Sequence, residues 1–530
     1  MTTGVADPQA VTAQENQKGQ DLRGTMIRVG VQCALAAGFV MVAVLLRGQH
    51  LGNGYPLNPD EAELMGQARA AMHSPVPFTT WTTATTGPIW ALFLAMLGML
   101  GLPMTMFAAH FVAAALVGVM GYLGFTLVRR VTGAFLSAVV TLFWWLPFVL
   151  SLTGDPVNLA ALSTELLPSA LILGAALVRP ESLAKRPWLF AVTGLLSGLA
   201  VGAKYQVAPL AVAVLAMQLA FLPQFQWRQA WRNLGWWAVG GFAPALILGV
   251  AMLISPDVSM VAIQQNLTFV SEYSTRVGLN GRISNWRVLV TSMHQVLMLL
   301  LVCWFGSRSV PRVQLWRAIV AGAGLVAVYL GGLGFGHYLI FMYPAFAIAL
   351  ALPLKPGAQL VPLANRPILR PALVIFVALV AWVASFGAPT QLPETASGDQ
   401  LANVFRPDSH PPQDPKLVSA CPKGSEVLVW GWAPELYIIY SWSNAVPYMN
   451  LTLLTDAPAN QPSGHEVIRE AIERKSTACV VDAVGNPFFH VKPEHSITKV
   501  YPDLTAVLTT QYRSVGAIHA CEKCTVYVRG

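Results

Sequence analysis

Charge is what this sequence has least of. Only 11% of its 530 residues are Asp, Glu, Lys or Arg, where soluble domains carry about a quarter. That scarcity excludes a soluble multi-domain enzyme and a disordered chain. What fills the space is apolar: 55% of the residues are hydrophobic and the mean hydropathy is +0.55. The chain reads as a polytopic membrane protein in which the few charges mark either topology or function. A net charge of +8 raises the question of nucleic acid, but 16 tryptophans fit helices with interfacial anchors better than a basic nucleic-acid binder.

Residues 1–25 are polar and read as a flexible cytoplasmic tail. The first apolar run, Met26 to Leu46, ends without a small-residue cleavage site and is expected to be a retained span. Further runs near 105–128, 132–150, 160–178, 187–203, 205–222, 235–254, 288–305, 316–335, 338–353 and 371–387 bring the total to about eleven transmembrane helices. Residues 88–102 are apolar but short. With a cytoplasmic N-terminus and 88–102 not crossing, the inner segments hold 16 basic residues against 6 in the outer ones before residue 388; counting 88–102 as a span reverses that bias. The loops 47–104 and 255–287 and the segment from 389 onward therefore fall outside the cytoplasm. The basic excess is a topology signal with no clustered groove, which argues against nucleic acid.

The expected organisation is a transmembrane domain over 26–388 and an extracytoplasmic domain over 389–530. A Pro-rich linker opens the latter. Glu426–Trp430 reads as a buried strand, Ala433–Trp442 as a helix, Glu466–Lys475 as an amphipathic helix and Ala478–Asp482 as a second strand. That order suggests a small α/β domain. No Gly-rich phosphate loop accompanies it. Four of the six cysteines, Cys421, Cys479, Cys521 and Cys524, lie here and imply one or two disulfides with three possible full pairings. Cys521-Glu-Lys-Cys524 also has the spacing of a redox or metal pair, but no second ligand pair stands near it.

Acids carry the most information because they are rarest. Between residues 26 and 388 there are eight: Asp60, Glu61, Glu63, Asp155, Glu165, Glu181, Asp257 and Glu272. All but Glu181 fall on or near the external side. Asn58-Pro-Asp-Glu-Ala-Glu63 follows the first span. Pro59 suits a first helical turn, which puts Asp60 and Glu61 at a helix N-terminus, where the dipole favours a carboxylate. Simple capping is the plainer explanation, but Leu64 to Met72 then reads as a short amphipathic helix along the membrane, followed by a long Thr- and Trp-rich loop. Asp155 belongs to a short external loop. Glu165 is expected two to three turns into the next helix and facing inward, since lipid rejects it; an interhelical hydrogen bond is the structural alternative. Lys204 stands where two spans meet, a place where a snorkelling lysine is ordinary. His337 and Tyr338 open a late span containing Pro344, and Arg276 stands in the 255–287 loop, where anionic substrate or lipid headgroups would suit it.

In this order the motifs resemble the GT-C superfamily of membrane glycosyltransferases, in particular the branch holding the aminoarabinose transferases of lipid A and the protein O-mannosyltransferases. Asp60-Glu61 matches the acidic pair of the first external loop, Asp155 the second acidic loop, Lys204 a lysine several spans later, and His337-Tyr338 to Pro344 the polar start of a late span. One departure stands out: the lipid A branch carries Lys-Pro before its second span, and this chain has Thr85-Thr86-Gly87-Pro88.

The resemblance implies a sugar donor linked to a polyprenyl phosphate, an acceptor hydroxyl on a glycolipid, cell-envelope glycan or protein, and reaction on the extracytoplasmic face with inversion. It implies Asp60 as the base, Glu61 positioning sugar or acceptor, Lys204 with Arg276 and His337 assisting the leaving phosphate, and Asp155 and Glu165 orienting sugar hydroxyls. No strong metal-ligand cluster is visible, so a divalent metal, used by some of these enzymes, is not expected. The location implied is the bacterial inner membrane, with the N-terminus cytoplasmic and the C-terminal domain periplasmic or extracellular. A flippase of lipid-linked sugars and a non-catalytic assembly protein are the competing readings; against the first, no two halves of the chain resemble each other.

Overall fold

The computed structural model describes residues 8–83, 85–132, 134–149, 159–224, 226–275, 311–330, 336–352, 396–451, 454, 460–484, 493–518 and 521–530. The helices that matter here are α1 (Pro8–Leu46), α2 (Pro59–His73), α3 (Pro88–Met99), α4 (Met106–Thr132), α5 (Ala134–Val149), α6 (Leu166–Ala176), α7 (Leu189–Ala203), α8 (Ala208–Ala220), α9 (Trp227–Ile254), α10 (Met260–Thr275), α11 (Pro311–Leu330) and α12 (Met342–Ala351). Among the described residues four stretches are long and apolar enough to cross a bilayer: Thr25–Leu46, Met106–Val131, Trp227–Ile254 and Pro311–Leu330. The helices α3, α6, α7, α8 and α12 are apolar but shorter. The expected spans at 288–305 and 371–387 lie outside the described residues. With 12 residues, α3 is about 18 Å long, against a hydrocarbon core of about 30 Å.

Helix α4 is the axis of the bundle, packed by α1, α5, α6 and α12. By contrast α9 turns Phe242, Leu246, Ile247, Leu253 and Ile254 outward, the signature of a helix whose solvent is lipid. Small residues let backbones touch where side chains would intervene. A Cβ on Gly194 or Gly198 of α7 would stand 2.1 Å from the Trp237 or Gly241 carbonyl of α9, so these two helices pack backbone on backbone.

Three expectations change. Residues 8–25, expected as part of a flexible tail, are helical and run without a break into the first span. Glu165 does not sit two to three turns inside a helix. It immediately precedes α6, because proline is tolerated in a first helical turn and Pro168 marks that turn. Nor does α2 keep a wet face. Its residues Glu61 to Ala68 are all buried, because the C-terminal domain covers the side left to water by the sequence pattern.

That domain is a five-stranded sheet in the order β2-β1-β3-β5-β4, built from β1 (Glu426–Trp430), β2 (Ser443–Asn444), β3 (Thr477–Asp482), β4 (Tyr512–Ile518) and β5 (Cys521–Arg529). The β1 strand pairs in parallel with β2 and β3, and β5 pairs antiparallel with β3 and β4. The expected 433–442 helix shortens to α13 (Glu435–Ile439), and the amphipathic helix runs as α14 (Gln461–Glu473). A disulfide joins Cys421 to Cys479, and Cys524 is disulfide-bonded as well. The domain docks through α13 onto α2: Arg69 donates to the Tyr437 and Ser441 carbonyls at 3.3 and 3.2 Å. Through Gln265 it also holds α10, which donates to Ser463 at 2.7 Å and accepts from the Tyr448 hydroxyl.

Candidate active site

The first turn of α2 is built by its own sequence. Asn58 caps it, accepting from the Asp60 amide at 2.9 Å, and Pro59 opens it. In return the Glu61 carboxylate accepts from the Leu57 and Asn58 amides at 2.7 and 3.4 Å, completing a capping box. Glu61 goes further. Its second oxygen accepts from the Leu162 amide at 2.5 Å, and His110 Nε2 of α4 stands 3.2 Å from the first. Buried completely, its carboxylate is nevertheless held below the ordinary glutamate range. Burial opposes this, but His110 and the backbone donors outweigh it.

Asp60 differs in the one respect that matters for chemistry: it is reachable. Its side chain keeps 21% of its surface exposed, whereas Glu61 and Glu165 keep none. Burial in its surroundings raises its pKa above the usual aspartate value, opposed by His337 and Lys204. His337 Nε2 lies 3.9 Å from Asp60 Oδ2. The His337 ring meets that of Tyr338 edge-on, and Tyr338 in turn lies beneath the Lys204 ammonium at 5.7 Å.

Lys204 follows the last residue of α7 in extended backbone, so its side chain turns back into the protein and is 1% exposed. Nζ donates to Thr164 Oγ1 at 2.9 Å and stands 3.4 Å from Glu165 Oε1, which the Thr164 hydroxyl also reaches. Trp90 of α3 fixes the same turn by donating to the Thr164 carbonyl at 2.7 Å. Beside it, the Gly87 amide donates to the Ala203 carbonyl at 2.9 Å. Thr86, part of the sequence that replaces Lys-Pro, is buried there with a hydroxyl that has no partner among the described residues.

The structure therefore brings Asp60, Glu61, Glu165, Lys204, His337 and Tyr338 into one neighbourhood from segments almost 280 residues apart. Asp155 and Arg276 lie outside the described residues. Sequence reading missed His110, whose partner Glu61 is 49 positions away, and Arg47. The buried Arg47 guanidinium donates to the Phe148, Val149, Leu159 and Ala160 carbonyls at 3.0 to 3.2 Å. An arginine placed directly after an apolar span is the signal that could have found it. Among the described residues no group of three or more His, Cys, Asp or Glu stands together as a metal site. Asp60 with His337 offers two donors, and the Glu61 oxygens are taken by protein groups.

No family model and no curated protein matches this sequence. Solved structures do match its shape. The apo crystal structure of ArnT from Cupriavidus metallidurans superposes with a TM-score of 0.54 at 14% identity, covering 95% of this chain and 98% of that one. The structure of the same ArnT bound to undecaprenyl phosphate gives 0.51 at 13% identity, over 94% and 97%. That coverage takes in both the helical bundle and the C-terminal domain, and the fold of this chain is similar to that of ArnT over almost its whole length.

Proposed function

We propose that this protein is an integral-membrane glycosyltransferase that moves a sugar from a polyprenyl-phosphate donor to an acceptor hydroxyl on the extracytoplasmic face, with inversion. The acceptor belongs to a glycolipid, an envelope glycan or a protein. The observation that carries this reading is the placing of one reachable carboxylate, Asp60, beside the buried His337 ring and the Lys204 ammonium, where the start of α2, the end of α7 and the segment before α12 come together. That ArnT has been crystallised with undecaprenyl phosphate supports the donor class.

In the reaction the acceptor oxygen bonds to the anomeric carbon as the bond from that carbon to the phosphate oxygen breaks. Asp60 takes the hydroxyl proton, and the bonding pair leaves with the phosphate. An ammonium has three N–H donors. Lys204 gives one to Thr164 and faces Glu165 with another, which leaves a third for the growing phosphate charge. His337 stands 3.9 Å from Asp60, and the buried Thr86 hydroxyl, one residue before the Gly87 that bonds Ala203, supplies a neutral contact where the lipid A enzymes have a cation. Arg276 and Asp155 keep the roles the resemblance gives them, phosphate and sugar binding. Glu61, its oxygens filled by protein donors, acts by holding Asp60 in place.

The test is transfer of labelled sugar from a polyprenyl-phosphate donor by membranes carrying Asp60→Asn. Loss of about three orders of magnitude in kcat, with the protein still inserted and folded, is expected for removal of a general base. Full activity would show that Asp60 is not the base, and a flippase would move the donor across the bilayer whether or not transfer occurred. Because Asp60 is held above the ordinary aspartate pKa, the acid limb of kcat lies above pH 3.8, activity rising with pH as the carboxylate forms.

A further inference from the structure

Glu63 stands one turn beyond Asp60 on α2, 7% exposed, at the seam between the helix bundle and the C-terminal domain. From its own helix the Gln67 amide lies 3.0 Å from Oε1. From the C-terminal domain Asn450 Nδ2 lies 3.4 Å from Oε2, with the Trp432 indole beside it. The charged groups facing it are Asp60 on the same helix and Lys204 from the end of α7; Glu435 is the buried acid of α13, the helix packed on α2. A carboxylate in such a place would put a second negative charge one turn from Asp60, an arrangement that disfavours both charges. We propose that Glu63 is a positioning residue for Asp60, a neutral carboxylic acid wedged between α2 and the C-terminal domain, through which that domain sets the charge one turn from the base.

Gln67 and Asn450 both donate to the carboxyl as placed, but Gln67 can serve an acid as well. The oxygen of Gln67 is buried with no partner among the described residues. Turned over, the Gln67 amide accepts the Glu63 proton without any movement of backbone, while Asn450 still donates to the carbonyl oxygen. Burial, and next the Asp60 charge, lift Glu63 to a pKa of about 8, so near neutral pH the residue carries its proton. Asp60 can then ionise alone. Above that pKa Glu63 ionises as well, and two carboxylates and the donor phosphate repel one another in one pocket.

The inference rests on Asp60 as the base, so its test has one arm that depends on transfer and one that does not. In the transfer arm, Glu63→Ala lowers kcat about tenfold, and Glu63→Gln, the shape of the neutral acid, restores it at pH 7 and removes the alkaline fall of kcat near pH 8. Asn450→Leu removes a donor to the carboxylate and moves that fall to higher pH. In the other arm, thermal unfolding of the detergent-solubilised protein is followed between pH 5 and 9. A group whose pKa rises from 4.5 to about 8 on folding binds more protons in the native state through that window, so stability falls as pH rises across it. Wild type shows this fall and Glu63→Gln shows a flatter curve. Equal stability slopes, or a Glu63→Gln enzyme as impaired as Glu63→Ala, would overturn the proposal. If instead the slopes differ while Asp60→Asn retains activity, Glu63 is the neutral acid and the assignment of the base is what fails.

Discussion

At the scale of the residue, the site is defined by which charges are spent and which are free. Lys204 and Glu165 form a buried pair with 1% and 0% of their side chains exposed. Removing one member of such a pair costs about 3–5 kcal/mol because the other is left charged and dry. Lys204→Met is therefore expected to lower stability by that amount and to abolish transfer. The double variant Lys204→Met with Glu165→Gln recovers most of the stability but none of the activity, since it restores neutrality without restoring the cation. Thermal unfolding beside a transfer assay separates the two effects; recovery of activity in the double variant would show that Lys204 serves only to neutralise Glu165. Rarity made these charged residues visible in the sequence, but not their state. Asp60 and Glu61 are adjacent and look equivalent, yet one keeps an exposed edge while the other is bonded to Leu57, Asn58, Leu162 and His110. Three of these donors are backbone amides, which no residue pattern announces, and His110 is one histidine on an apolar helix face.

At the scale of the element, position is set by backbone contact more than by side-chain pattern. Gly87, just before α3, is where the chain touches the end of α7: a Cβ there would stand 1.9 Å from the Gly202 carbonyl. Since the obstacle is backbone, α3 and α7 must part to admit it, and the Gly87–Ala203 hydrogen bond beside Lys204 breaks. Gly87→Ala is expected to cost about 2 kcal/mol or more and to cut kcat more than KM, because it shifts the cation rather than removing substrate contacts. Gly322→Ala on α11, where nothing lies within 4 Å, is the control and is expected to leave both stability and kinetics near wild type. Equal effects of the two substitutions would deny the close approach its role. Hydropathy found the apolar lengths of α1, α4, α9 and α11, but not their ends: α1 reaches back to Pro8, α9 to Trp227, and α11 begins at Pro311. It ran two separate signals together at 160–178, where the Ser163-Thr164-Glu165 turn interrupts an apolar run that the window reads as continuous.

At the scale of the whole molecule, three segments that the basic-residue count assigns to one side of the membrane pack together. They are the loop bearing α2, the loop bearing α10 and the C-terminal domain, joined by Arg69, Gln265 and Asn450. A common side allows their meeting, but charge placement did not foretell the contact or that the domain would bury α2 on its second face, since a helix with one polar side looks the same against water as against a polar domain surface. The disulfide offers a measure of that cover. Cys421–Cys479 closes a separation of 58 residues, for which chain entropy gives about 4 kcal/mol of stabilisation. Both sulfurs belong to buried residues, so they react only once the domain opens. Denatured extracts alkylated without reductant should leave these two cysteines unmodified, and extracts reduced first should modify both, as expected of a domain matured in an oxidising compartment. The Cys421→Ser, Cys479→Ser variant should then become protease-sensitive in the C-terminal domain at a temperature where the helix bundle is intact, and transfer should fail at that same temperature. Loss of the domain fold with transfer unimpaired would mean that the cover over α2 is architecture alone, and that the site works without it.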